Sequence, residues 1–298
     1  MKAKVEVVIS GAAGAFPECK SIPEFEDALF NKTDLVTNDD RRWKETPGYP
    51  SHCGKAFTHE KFDALFFKVP FSSPTTMDPL AKKCLETSVE AIIDAGVNPK
   101  SLAGTQTAVY AVYDFSEFEM SVVDGQSQRA LLGIARTFAA NRLSFTLDLK
   151  GPSFTALGGY GQTFHFIDEA KGQLEEGEID AAVIVTANYI MSPRSLAILH
   201  SMGLAANDGK CRSFDENAHG YSRSEGCVAF FLQRAPEARR NYATVIGAEY
   251  RFFGTKEGSV LAFDGGPAKE MLRQLYSKWN VDPSRRRLRR GRRLRDQS

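Results

Sequence analysis

SFTALGGYGQTFHFIDEAKGQLEEGEIDAAVIVTAN, residues 153–188, decides the architecture. SFTAL (153–157) reads as a strand, Gly158-Gly159 as a turn and 160–176 as a helix. IDAAVIVTAN (179–188) is a near-continuous apolar run and reads as a buried strand. Upstream, QTAVYAVY (106–113) is a second buried strand, and a helix falls near 127–142. Further back, KVEVVIS ends in a Gly-rich turn, Gly11 to Gly14. Ser21 with Glu24 forms a capping box for the helix IPEFEDALF. A longer helix starts at Asp78-Pro79, puts Leu85, Val89, Ile92 and Ile93 on one face, and ends at Gly96. Downstream come a short helix near 194–201, a polar loop over 203–220, strands GCVAFFLQ (226–233) and YATVIGAEYRFF (242–253), and an amphipathic helix near 267–279. Residues 32–78 are irregular. Strands alternating with helices specify a layered α/β fold.

The 298 residues are 42% hydrophobic and 25% charged, so the chain can bury a core without staples. No run of about 18 apolar residues exists, and the start lacks a signal-peptide pattern, so a soluble cytoplasmic protein is expected. The five cysteines are widely spaced with no CxxC, which argues against a disulfide framework. The net charge of +1 is uneven. Residues 285–298 hold eight arginines, and the rest of the chain has 30 bases against 36 acids. The body therefore offers no electrostatic footprint for nucleic acid.

Four stretches are highly specific: TNDDRRWKETPGYP (37–50), ANRLSFTLDLKGPS (140–153), GKCRSFDENAHGYSRSEG (209–226) and ARRNYATVIGA (238–248). With TMDP (76–79) they resemble the β-ketoacyl synthase domain of animal-type fatty acid synthases, in register from about Val5 to Pro283. The resemblance implies a thiolase-like fold, five layers α-β-α-β-α built from two similar halves and usually dimeric. It also implies an acyl carrier protein as partner and a place in a multidomain chain. The family reaction condenses an acyl thioester on a cysteine with a malonyl group that loses CO₂. Such a thiolate needs a tight strand-to-helix turn, where the helix N-terminus lowers its pKa and backbone N–H groups hold the oxyanion.

The family places that cysteine in a DTACSSS-like motif a few residues after GPS. Here Gly151-Pro152-Ser153 is followed by FTALGGYGQTF, so Leu157, Gly158, Gly159 and Tyr160 stand at the Asp-Thr-Ala-Cys positions. Tyr160 occupies the nucleophile position. Its phenol titrates near ~10 against ~8.5 for a thiol, and its ring would fill the space of the thioester. Decarboxylating relatives without the cysteine usually carry glutamine there, but Gln162 is two residues late. None of His52, His59, His165, His200 or His219 matches a catalytic histidine of the family. No catalytic residue is therefore carried over.

Tyr160 as a new nucleophile or ligand gate competes with Tyr160 as a pocket filler; with no base nearby in sequence, the filler is preferred. His52-Cys53 with His59 lacks a four-ligand zinc pattern. Gly158, Gly159 and Gly161 lack the GK[ST] of a phosphate loop and fit a tight turn. Cys84 and Cys227 read as buried, and Cys211 as an exposed thiol in a polar loop. Arg41, Arg42 and Trp43 read as structural ion pairs and packing, with a carrier-protein contact as the alternative. No cofactor or metal is expected.

Residues 1–241 are thus expected to be the N-terminal part of a β-ketoacyl synthase and 242–283 the start of its C-terminal part, with no histidine motif following. In 284–298, an Arg-rich tail replaces it. Read one base out of frame with permitted codons, Arg285 onward becomes VDVYVEADGSGTS, close to the family's VEA-x-G-x-G-T. The tail is expected to be out of frame or disordered. The function expected is a fatty acid synthase-like ketosynthase domain, degenerate, truncated and inactive as it stands. The alternative is a pseudoenzyme binding a lipid or a partner through the old acyl tunnel or dimer face, with a homodimer if the domain is complete.

Overall fold

The computed structural model describes residues 5–44, 51–56, 61–70, 77–113, 116–118, 133, 135–157, 161–206, 208–213, 215–254 and 265–285. Its centre is β4, Thr107–Tyr113, whose seven residues are all buried. Burial on both faces explains why TAVYAVY is apolar without alternation. β5 (Ser153–Ala156) and β6 (Ala181–Asn188) flank β4 in parallel. β7 (Gly226–Arg234) pairs antiparallel with β6, β1 (Val7–Ala15) with β7, and β8 (Ala243–Thr244) with β1. The order is β5-β4-β6-β7-β1-β8. A separate two-strand ladder joins β2 (Val36–Thr37) to β3 (Cys53–Gly54).

Helices cover both faces of the sheet. α1 is Ile22–Phe30, and Ser21 caps it as the sequence predicts: Ser21 Oγ accepts from Glu24 N–H, while Glu24 Oε2 reaches back one residue further than in a capping box, to Lys20 N–H at 2.8 Å. α2 is Pro79–Asp94, capped by Asp78, whose carboxylate accepts from Leu80 N–H at 2.8 Å. α3 is Phe138–Leu147, α4 is Gln162–Glu176, α5 is Pro193–Ser201 and α6 is Gly265–Lys278. Leu85, Ile92 and Leu143 from α2 and α3 pack on Val109, Val183 and Phe231 on one face. Phe166 and Leu174 of α4 pack on Tyr110, Ile184 and Leu232 on the other. Each such side chain stabilises the fold by about 1.5–3 kcal/mol when fully buried. The chain runs β4-α3-β5 in one direction across the sheet and β5-α4-β6 back in the other. Crossovers of one hand must then use opposite faces, as α3 and α4 do.

The structure corrects four local expectations. Gly11 to Gly14 are strand, not turn. At Gly11 a Cβ would stand 2.1 Å from Ala91 O, so the glycine lets α2 lie against β1. The register shifts between Ile9 and Gly11, and the intervening Ser10, fully buried, donates to Gln233 Oε1 at 2.8 Å. Ile93 is exposed: it lies about 100° round the helix from Ile92, beyond the buried stripe. The helix expected near 127–142 extends further, to Leu147, over Phe138–Leu147; Gly133 is helical as well, and positions 127–132 and 134 lie outside the described residues. YATVIGAEYRFF forms only the two-residue β8. Val245 N–H still reaches Val7 O, but 246–254 have no strand partner among the described residues. Gly158-Gly159, Tyr160, His59 and 286–298 lie outside the described residues.

Candidate functional site

β4 and β6 run parallel and end side by side at Tyr113 and Asn188. Beyond those carboxyl ends lies a cleft of about 690 Å³. Open α/β sheets bind ligands at such strand ends, and the volume falls within the ~300–1,000 Å³ of small-molecule sites. Val112, Tyr113 and Ala187 form its floor, Phe164 of the first turn of α4 one side, and Ile198 and Leu199 of α5 another. A polar wall comes from Asn188, Ser195 and the segment Tyr221–Ser224. Thr163, three residues after Tyr160, also lines it, so the cleft adjoins the helix that follows the motif position. Among the described residues no side chain caps the N-terminus of α4 at Gly161.

Arg223 organises the polar wall. Its guanidinium donates to Ser195 Oγ at 2.8 Å and to Asn188 Oδ1 at 3.0 Å, joining the end of β6 to the first turn of α5. Behind it stands Glu117, with Oε1 3.5 Å from the guanidinium. Glu117 Oε2 accepts from the backbone N–H groups of Met191 and Ser192 at 2.7 and 2.6 Å. Among the described residues lining the cleft, Arg223 is the sole charged one. These four residues come from positions 117, 188, 195 and 223, and sequence reasoning missed them. The available signal was SRSEG, two charges among small residues immediately before an apolar strand.

Glu225 serves a different network. Arg42 donates to both its oxygens at 2.9 and 2.7 Å, and the N–H groups of Ala56 and Ile190 donate at 2.8 and 3.1 Å. The two side chains are 6% and 0% exposed. Arg41 pairs with Asp39 and Glu18, and Lys55, fully buried, donates to Asp39 O at 2.6 Å. Arg41 and Arg42 are thus ion-paired as the sequence reading expects, and the Lys55 ammonium lies 5.9 Å from the Trp43 ring centroid.

The cysteines supply no activated nucleophile. Cys84 and Cys227 are buried, as expected, beside the Tyr113 hydroxyl, and burial pushes the Cys84 thiol well up. Burial likewise raises Cys53 to about 11. Cys211 is exposed, and its sulfur accepts from Ser222 N–H at 3.1 Å. Among the described histidines, His165 lies against Phe166 and Tyr250, and His219 lies 3.7 Å from Asp208; none lines the cleft. Among the described residues no cluster of His, Cys, Asp or Glu could hold a metal ion, and no helix is long and apolar enough to cross a membrane.

The family model for the β-ketoacyl synthase N-terminal domain matches residues 4–238. A fatty acid synthase of Anser anser anser is 35% identical over 282 residues, covering 93% of this chain and 80% of the relative. A highly reducing polyketide synthase of Emericella nidulans is 34% identical over 187 residues, covering 62% of this chain and 8% of the relative. Among solved structures, the ketosynthase from module 6 of the bacillaene synthase from Bacillus subtilis 168 superposes with a TM-score of 0.82 at 25% identity. That match covers 93% of this chain and 49% of the solved one. The oxazolomycin ketosynthase domain of Streptomyces albus JA3453 gives a TM-score of 0.83 at 22% identity, a likeness of fold. The chain spans about half the length of these solved ketosynthases. It carries their thiolase-like fold and belongs to the β-ketoacyl synthase family shared by fatty acid and polyketide synthases.

Proposed function

We propose that this chain is an animal-type fatty acid synthase ketosynthase domain that has lost condensation and keeps its cleft as an acyl-binding site. Residues 1–241 form its N-terminal part and 242–283 begin its C-terminal part. The observation that carries the reading is the open cleft at the ends of β4 and β6, walled by Val112, Phe164, Ile198 and Leu199. A degenerate synthase whose pocket had closed would offer no such wall. The loss of condensation rests on the motif: Tyr160 stands where the family has its cysteine. A neutral phenol with an ordinary pKa near ~10 is a poor acyl carrier at pH 7. The partners are those of the family, an acyl carrier protein in the cytoplasm and a second copy of the domain.

The test is condensation with acyl- and malonyl-carrier protein, for the wild type and for Tyr160→Cys. The wild type should form no ketoacyl product, because it lacks the thiolate that carries the acyl group. Product from the wild type would overturn the reading. Product from the single variant would place the whole deficit at Tyr160.

A further inference from the structure

We infer that Arg223 anchors the carboxylate of a free, unesterified fatty acid in the cleft. This deepens the acyl-binding reading and rests on it. A chain held without a covalent bond needs its head group fixed by the protein, since apolar contact along a tail is non-directional. The cleft presents one charged side chain among its described lining, and that charge is positive.

The guanidinium is pre-oriented. Ser195 Oγ and Asn188 Oδ1 fix its plane at 2.8 and 3.0 Å, and Glu117 braces it from behind at 3.5 Å. A guanidinium has five N–H donors, and these two hydrogen bonds use one on each terminal nitrogen. The fork geometry of the remainder suits a carboxylate better than an ester or thioester carbonyl, which is uncharged and offers weaker acceptors. Glu117 does not line the cleft, and its Oε2 is occupied by two backbone N–H groups, so it balances the buried charge without facing the ligand. The apolar side chains opposite, Phe164, Ile198 and Leu199, would receive the tail. The ligand class that fits is an amphiphile with an anionic head and an aliphatic tail.

The experiment is calorimetry of the whole chain with palmitate and with methyl palmitate, both below their aggregation concentrations. The wild type should bind the acid at least tenfold more tightly than the ester. Arg223→Met should remove that preference, so that acid and ester bind with similar affinity, and Arg223→Lys should keep part of it. The ester is the control for folding: if Arg223→Met weakens acid and ester equally, Arg223 is a structural brace and the inference is wrong. Equal binding of acid and ester by the wild type would also overturn it, with acyl binding itself intact. Binding of neither would overturn both this inference and the reading beneath it.

Discussion

The ring of Tyr250 lies against Gly161, its edge carbons 2.5 Å from where a Cβ on that glycine would stand. Gly161 has a negative φ of −97°, so the glycine is needed for this contact and not for a left-handed turn. The contact places the segment after β8 on the first turn of α4, and the His165 ring centroid stands 6.4 Å from that of Tyr250. An expectation built on the turn alone thus misses why glycine occupies this position.

Gly161→Ala should therefore cost about 1–3 kcal/mol through overpacking. The double variant Gly161→Ala/Tyr250→Ala should cost less than the sum of the singles, because removing the ring leaves room for the methyl group. Urea denaturation of the four proteins measures the coupling. Strict additivity would mean the ring does not rest on Gly161.

Arg42 and Glu225 form a bidentate pair that is almost wholly out of water. Glu225 also receives the N–H groups of Ala56 and Ile190, so it ties three separated segments together. Glu225→Gln leaves the Arg42 charge buried without a counter-ion, and the expected loss is about 3–5 kcal/mol. Chemical denaturation reads this directly. A loss below about 1 kcal/mol, the range of exposed pairs, would contradict the buried geometry.

Asp39 gives a pH signature. Burial pushes its carboxyl up, but hydrogen bonds from Arg41, Thr37 and Lys55 outweigh that and hold it well below its ordinary 3.8. A carboxyl depressed in the folded state contributes stability that is fully present above the unfolded value and lost as pH falls through the folded one. Asp39→Asn should therefore lower the melting temperature by a constant amount between about pH 5 and 7, with the gap closing below about pH 4. The side chain is 35% exposed, so the constant gap should correspond to only about 1–2 kcal/mol. A gap that widens on acidification would contradict the pairing.

Much of the fold is legible in the amino-acid order because burial writes itself into periodicity. AVYAVY (108–113) and AAVIV (181–185) run apolar without alternation because helices cover both faces of their sheet. The Asp78-Pro79 start and the Gly96 stop of α2 follow from local capping chemistry, with Gly96 at φ +74°. Gly11 was not legible, since a glycine signals a turn and a close helix approach alike, and only the position of Ala91 separates the two. The run 242–253 has the composition of a strand, but composition does not supply a partner to pair with. The cleft was legible only in part. Motif register points to Tyr160, whereas the polar frame of Arg223, Asn188, Ser195 and Glu117 is assembled by tertiary folding from four segments spread between positions 117 and 223.

The central claim, that the domain holds an acyl chain without bonding to it, is tested most directly by mass spectrometry of the purified chain. Under native conditions the protein should carry, or take up from added palmitate, one fatty acid per chain, and denaturation should return the bare polypeptide mass. An acyl mass that survives denaturation, or a native protein that neither carries nor takes up a fatty acid, would contradict the account.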